Sequence, residues 1–305
     1  MIKTSKMTAN RNNIDPKISV ITPVYNGEQF LESAICSVIN QGYSNIEYII
    51  IDGGSTDGTN KIIKKYSKHL YYSQSKPDKG QYDAINIGMQ HATGEILCWL
   101  NSDDLFLPNA LQMVAQIFKQ FKDVEWLSSL KPAGLDANGF FTGNGNIPGF
   151  SKEAFGDGYY VHNKKRGYLL QQESTFWRKS LWQRCGESIP MSYSLAGDYA
   201  LWCKFMMHTT LYGLDYPVSG FRQVIGQRSA NIYEYLHEAR IAHNQLGFKE
   251  RKRFINLLRY TKLNLILKKS GIIVNGLGYD GKKIANKNPL VPDSGWQIID
   301  YKFLP

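Results

Sequence analysis

Residues 17–52 read KISVITPVYNGEQFLESAICSVINQGYSNIEYIIID. Two runs rich in branched apolar residues, 17–25 and 45–52, flank an amphipathic stretch at 27–41, so the segment predicts a buried strand, a helix and a second buried strand. The alternation continues. GTNKIIKKYSKHL (58–70) predicts a helix, LYYSQS (70–75) a strand, GQYDAINIGMQHA (80–92) a helix opened by glycine, and GEILCWL (94–100) a strand. Strands apolar on both faces, separated by helices, predict an α/β fold with a mostly parallel central sheet flanked by helices.

Ligands of such sheets bind beyond the carboxyl ends of the strands. Four polar loops fall there: TPVYNG, DGGSTDGT, KPDKGQYD and NSDD. Each alone is ordinary turn chemistry, but four in succession predict a binding crevice. The sharpest is NSDD, residues 101–104, which follows a fully apolar strand. Adjacent aspartates repel each other and lose hydration when covered, so a bound cation is the expected compensation. Hard oxygen ligands suit Mg²⁺ or Mn²⁺.

With 305 residues, 43% of them hydrophobic, the chain has material for one large α/β domain or two smaller ones. Its start, MIKTSKMTANRNNIDP, lacks the apolar core of a signal peptide, and no apolar run elsewhere reaches the roughly 18 residues of a membrane span. A cytoplasmic protein with a frayed start is expected. Cys36, Cys98, Cys185 and Cys203 form no CxxC pair, which fits reduced core thiols. The net charge of +10 calls for an anionic partner: nucleic acid, an acidic membrane face or a phosphorylated substrate. Acidic loops along the crevice argue against nucleic acid.

Beyond Pro108 the pattern predicts a helix (109–121) and a strand (124–130), then a long loop or short antiparallel insertion from about 132 to 168. Helices at 178–186 and 196–208 and one strand at 210–224 follow. The expected organisation is a flexible tail (1–16), one α/β domain (17–230, with halves at 17–128 and 129–230) and a basic helical extension (231–305). That extension carries Arg240, Lys249, Arg251, Lys252, Arg253, Arg259, Lys262, Lys268 and Lys269 among Phe, Ile and Leu. Two readings of it stay open: a helix lying on an anionic membrane, or one packed on the core with a solvated basic face.

The turn after the first strand has one glycine, so the GxGxxG dinucleotide fingerprint is absent, as is GxxxxGK[ST]. Instead, ISVITPVYNGEQFLESAICSVINQ, YIIIDGGSTDGT and GQYDAINIGMQHATGEILCWLNSDD resemble the amino-terminal half of family 2 glycosyltransferases over about 17–110, and QQESTFWRKSLWQRCG with SLAGDYALWCKF extends the resemblance to about 207. The resemblance implies a GT-A fold and metal-dependent, inverting transfer of a hexose or N-acetylhexosamine. The implied donor is a nucleotide-sugar, by family habit a UDP-sugar, and the acceptor a glycan or lipid-linked saccharide at the inner membrane face in surface polysaccharide synthesis. It also implies that Asp52 holds the base, with Thr22, Pro23 and Tyr25 lining its pocket. Asp103 would ligate the metal, Asn101 and Ser102 would contact the donor, and Asp198 would take the acceptor's proton. Asp83, near the positive end of its helix, is expected to hold donor hydroxyls. Asp57 suits a helix-capping role better than Asp52 does. Three positions depart from the family: Asn101 for an aspartate, Ile85 for an arginine that would contact phosphate, and Val224 for a metal-binding histidine. They motivate an alternative, an inactive or weakly active sugar-nucleotide-binding subunit.

Overall fold

The computed structural model describes residues 15–162, 170–245, 247–248, 278–291 and 294–303. Strands β1 (Ile18–Val24), β2 (Ile46–Asp52), β3 (Tyr72–Ser75) and β4 (Ile96–Trp99) alternate with helices α1 (Leu31–Ile39), α2 (Thr59–Lys65) and α3 (Gln81–His91), as the sequence pattern predicts. They are followed by β5 (Leu105–Phe106), α4 (Ala110–Gln120), β6 (Trp126–Ser129), β7 (Ala133–Leu135), β8 (Phe141–Asn144), α5 (Lys152–Gly156) and α6 (Tyr159–His162). Next come β9 (Thr175–Arg178), α7 (Lys179–Arg184), α8 (Gly197–His208), β10 (Leu211–Leu214), β11 (Ser219–Arg222), α9 (Ile232–Gln245), β12 (Tyr279–Asn286) and β13 (Trp296–Phe303).

Nine strands form the main sheet in the order β13-β12-β10-β6-β9-β4-β1-β2-β3. Only β9 and β13 run against the rest. Position in the sheet explains sequence character. Central β1 and β4 are buried at every residue, whereas β3, at an edge, alternates between half-buried and exposed.

Helices cover both faces. Leu31, Ala34, Ile35 and Val38 of α1 sit at the 3–4 spacing of a buried stripe, and Leu31, Ile35 and Val38 share a core with α4 on one face. On the other, α3, α8 and α9 share a core with an aromatic cluster of Trp99, Trp126, Trp177 and Trp202. Gly88 lets α3 lie close on β1, because a Cβ there would fall 2.5 Å from Ile21 Cγ2.

The structure departs from the sequence pattern in three places. Residues 210–224, expected as one strand, divide into β10 in the main sheet and β11 in a second sheet ordered β5-β11-β7-β8. The break falls at Asp215–Val218, where Pro217 offers no backbone N–H for a ladder. Strand β9 was not anticipated, since four residues leading directly into a helix carry no period of their own. Within 231–305, α9 is helical as expected, but β12 and β13 pair antiparallel and extend the main sheet. The antiparallel pair β7–β8 forms the first part of the expected insertion at 132–168, whereas the later residues of that range hold the short helices α5 and α6. Most of the tail and the basic cluster from Lys249 to Lys269 lie outside the described residues. Among those described, no helix is long and apolar enough to cross a membrane.

Candidate active site

Strand register gathers the polar loops at one sheet edge. Val24 pairs with Asp52 and Asp52 with Ser75, while Ile21 pairs with Trp99, so β1 to β4 end side by side. Ser102 lies against the first loop, its Oγ 3.4 Å from where a Cβ on Gly27 would stand.

Asp52 is fully buried, and its carboxylate accepts hydrogen bonds from Ser55 N (3.1 and 3.2 Å), Ser55 Oγ, Ser75 Oγ (2.5 Å) and Asn60 Nδ2 (3.2 Å). These donors fill the carboxylate's lone pairs, so a nucleobase N–H is accepted there only once one of them turns away. Asp57 does cap, taking Thr59 N–H at 3.0 Å and Glu28 N–H at 3.0 Å. Thr22 and Pro23 are interior residues, the Thr22 hydroxyl lying 3.1 Å from that of Tyr48, while Tyr25 is 65% exposed at the crevice mouth.

The two aspartates of NSDD occupy different environments. Asp104 is fully buried and accepts Arg222 N–H at 2.9 Å and Asn101 Nδ2–H at 3.2 Å. Burial, reinforced by the charges of Glu173 and Asp103, pushes its carboxyl well above the usual range. Asp104 stitches the loop to β11 through the Arg222 N–H. Asp103 is half-buried and accepts from Gln227 Nε2 at 2.9 Å. Val224 offers its N–H to Gln227 Oε1 at 3.0 Å, and among the described residues the late side chain on the Asp103 carboxylate is Gln227, while Arg222 Nε donates to the Asp103 backbone carbonyl at 2.6 Å.

Asp83 turns back on its own helix, accepting Lys79 N–H at 3.0 Å, in the manner of a capping box. Ile85 is fully buried in the core behind α3. Gln81, at the start of the same helix, donates to Asn101 Oδ1 at 2.7 Å and accepts from Arg228 at 2.6 Å. Arg228 also donates to the Ser194 carbonyl. This chain of bonds joins the NSDD loop to the segment that leads into α8.

Asp198 stands in the first turn of α8, half-buried. Desolvation raises its carboxyl to about 6 despite hydrogen bonds from Tyr199 N (2.8 Å) and Tyr235 OH (3.2 Å). Gly197 permits this placement, because a Cβ there would meet the Tyr82 ring at 2.7 Å. Tyr235 belongs to α9, as does Glu238, whose carboxylate accepts Ser194 N (3.0 Å), Ser194 Oγ (2.6 Å), Leu195 N (2.8 Å) and Ala196 N (2.8 Å). Helix α9 therefore fixes the approach to α8 and the orientation of Asp198.

Sequence reasoning missed Gln227, Arg228, Tyr235 and Glu238, and it also missed Glu173. Glu173 is buried with one carboxyl oxygen lacking a hydrogen-bond partner, and burial plus the charges of Asp103 and Asp198 push it up to about 8. Its place inside QQESTFWR was the one available signal.

The model of the family described as "Glycosyl transferase family 2" matches residues 19–170. The chain belongs to glycosyltransferase family 2. A family relative, an uncharacterized glycosyltransferase of Rickettsia typhi, is 30% identical over 207 residues, which are 66% of this chain and 62% of that protein. The chain thus spans less than two thirds of that relative. Two solved structures share the fold at low identity. Staphylococcus aureus TarS, in complex with UDP-GlcNAc, superposes with a TM-score of 0.59 at 18% identity, covering 86% of this chain and 80% of that one. The mannosyltransferase PcManGT from Pyrobaculum calidifontis, in complex with GDP-Man and Mn²⁺, gives 0.50 at 16% identity, covering 86% and 81%. The family 2 chain has a GT-A fold.

Proposed function

We propose that this family 2 chain transfers a sugar from a nucleotide-sugar, a UDP-sugar by our reading, to a hydroxyl of a saccharide or lipid-linked acceptor, with inversion. The observation that carries this is Asp198: a carboxyl raised to about 6, braced by Tyr235 and linked through Ser194, Arg228 and Gln81 to the NSDD loop. At neutral pH it is ionised yet basic enough to take a proton. As the acceptor oxygen attacks, its bond to the anomeric carbon forms, the bond from that carbon to the donor phosphate oxygen breaks, and the hydroxyl proton passes to Asp198. Asp103 and Asn101 orient the donor, and the loop built around Asp52 shapes the nucleotide end. Assembly of a surface polysaccharide at the inner membrane face fits the basic charge.

A divalent metal fits the residues present in a limited way. Asp103 is a hard oxygen donor with one recorded partner, Gln227, and among the described residues no group of three His, Cys, Asp or Glu could hold an ion. Mg²⁺ and Mn²⁺ commonly take one or two carboxylates and complete their shell with substrate phosphates and water. Asp103 would be the protein ligand, and the ion would neutralise charge on the departing diphosphate.

Calorimetric titration with UDP, GDP, dTDP and CDP, each with Mn²⁺ and with EDTA, tests the donor assignment. One nucleotide should bind in a metal-dependent manner, Mn²⁺ alone should bind weakly, and Asp103→Ala should weaken metal-dependent nucleotide binding at least about tenfold. Equal affinity in EDTA would remove the metal from this reading. If a nucleotide-sugar binds and neither hydrolysis nor transfer follows, the chain is a binding subunit.

The pH profile separates Asp198 from other carboxyls. Activity should fall as pH drops through about 6, since the ionised form is the base. Tyr235→Phe removes a donor that favours that form, so the acid limb should move up by about half to one pH unit. An unmoved limb would mean that another group titrates there.

A further inference from the structure

A cavity of about 150 Å³ opens beside the proposed base, walled by Lys79, Gln81, Tyr82, Met191, Tyr193 and Arg228, with Gly80 and Ser194 completing the lining. No carboxylate lines it. Arg228 is held in place by two neutral acceptors, Gln81 Oε1 at 2.6 Å and the Ser194 carbonyl, and no ion pair is recorded for it among the described residues. The nearby carboxylate of Glu238 is committed to the backbone N–H groups of residues 194–196. Lys79, exposed and also in the lining, makes no side-chain hydrogen bond among the described residues. A guanidinium oriented by neutral partners, with N–H groups to spare and a second cation in the same lining, is a receptor for a phosphate-type oxyanion.

We infer that this cavity binds a phosphate group carried by the acceptor. The inference rests on the glycosyl-transfer reading and adds a substrate class to it: the hydroxyl that attacks belongs to a phosphorylated acceptor. Two features place the group on the acceptor and not on the donor. Met191, Tyr193 and Ser194 belong to the strap that leads into α8, which carries Asp198. Gln81 stands between the cavity and the NSDD loop with both ends of its amide engaged, one by Asn101 and the other by Arg228, so it partitions the cavity from Asp103. Apolar contact from Met191 and the Tyr193 ring would cover the carbon skeleton next to the phosphate.

The test is calorimetric titration of the full chain with inorganic phosphate in a phosphate-free buffer, once without nucleotide and once saturated with UDP and Mn²⁺. Phosphate should bind in both states. Arg228→Gln and Lys79→Gln should each weaken it by about tenfold and Arg228→Lys by less, and in Lys79→Gln the UDP affinity should stay within about twofold of wild type. Thermal unfolding verifies that each variant is folded, and exposed Lys79 supplies an arm that does not depend on the hydrogen bonds of Arg228. Equal phosphate affinity in wild type and both Gln variants would overturn the site. Phosphate displaced by UDP, or UDP binding lost with Lys79→Gln, would overturn the acceptor assignment, because the cavity would then serve the donor's diphosphate. If no nucleoside diphosphate binds, the glycosyl-transfer reading fails, while the nucleotide-free arm still judges the anion site.

Discussion

Asp198→Asn should lower the rate of sugar transfer by about 10²–10⁴-fold and leave nucleotide affinity within a few-fold, the span expected on removing a positioned general base. The substitution keeps size and the oxygen that accepts Tyr199 N–H, so α8 retains its start. What disappears is the basic oxygen, and with it the destination of the acceptor's proton. An amide cannot accept that proton at neutral pH, so the attacking oxygen would have to carry it into the transition state. Initial rates at saturating donor, paired with calorimetry of the nucleotide, separate chemistry from binding. More than a tenth of wild-type turnover in Asp198→Asn would exclude Asp198 as the base and direct attention to Glu173, the buried carboxyl that senses the charge of Asp198.

Trp202→Ala should cost about 3–5 kcal/mol of stability, at the upper end for a single core residue. Trp202 is fully buried on the inner face of α8, stacked 5.7 Å from Trp99 and 5.6 Å from Trp126 and meeting Trp177 edge-on at 5.7 Å. These rings come from β4, β6 and β9, so one side chain joins three strands to the helix that carries Asp198. Removing it leaves a cavity that packed rings cannot close. Trp202→Phe should cost much less, because the Trp202 Nε1 has no hydrogen-bond partner and deletion of the indole N–H leaves no acceptor unpaired. Urea unfolding reads both variants, as a fall in midpoint at constant slope. A loss below 1 kcal/mol in Trp202→Ala would show that the cluster is not the clamp described.

Asp104 and Asp103 illustrate how far local pattern carries. That NSDD would sit at the crevice followed from β4, an uninterrupted apolar run that is readable as a buried strand without any knowledge of its neighbours. That Asp104 would be fully buried and Asp103 only half-buried did not follow. The difference depends on Arg222 N–H and Gln227, which lie 118 and 124 residues away. Asp52 shows the same division. Its position at the end of β2 was legible, while its commitment to Ser55, Asn60 and Ser75 was not.

The regular period of residues 17–100 was enough to define the parallel half of the sheet and the edge where its loops gather, because strand and helix periodicities record which faces a segment buries. Nothing local marked β9, the division between β10 and β11, or the antiparallel pair of β12 and β13, each being short or dependent on a partner strand far off in the chain. Burial raised the carboxyls of Asp104, Glu173 and Asp198, α9 was brought against the start of α8, and Arg228 was set over its cavity, all by folding. Protonation and orientation depend on desolvation and on hydrogen-bond partners, and those are supplied across the fold by residues that no window of sequence contains together.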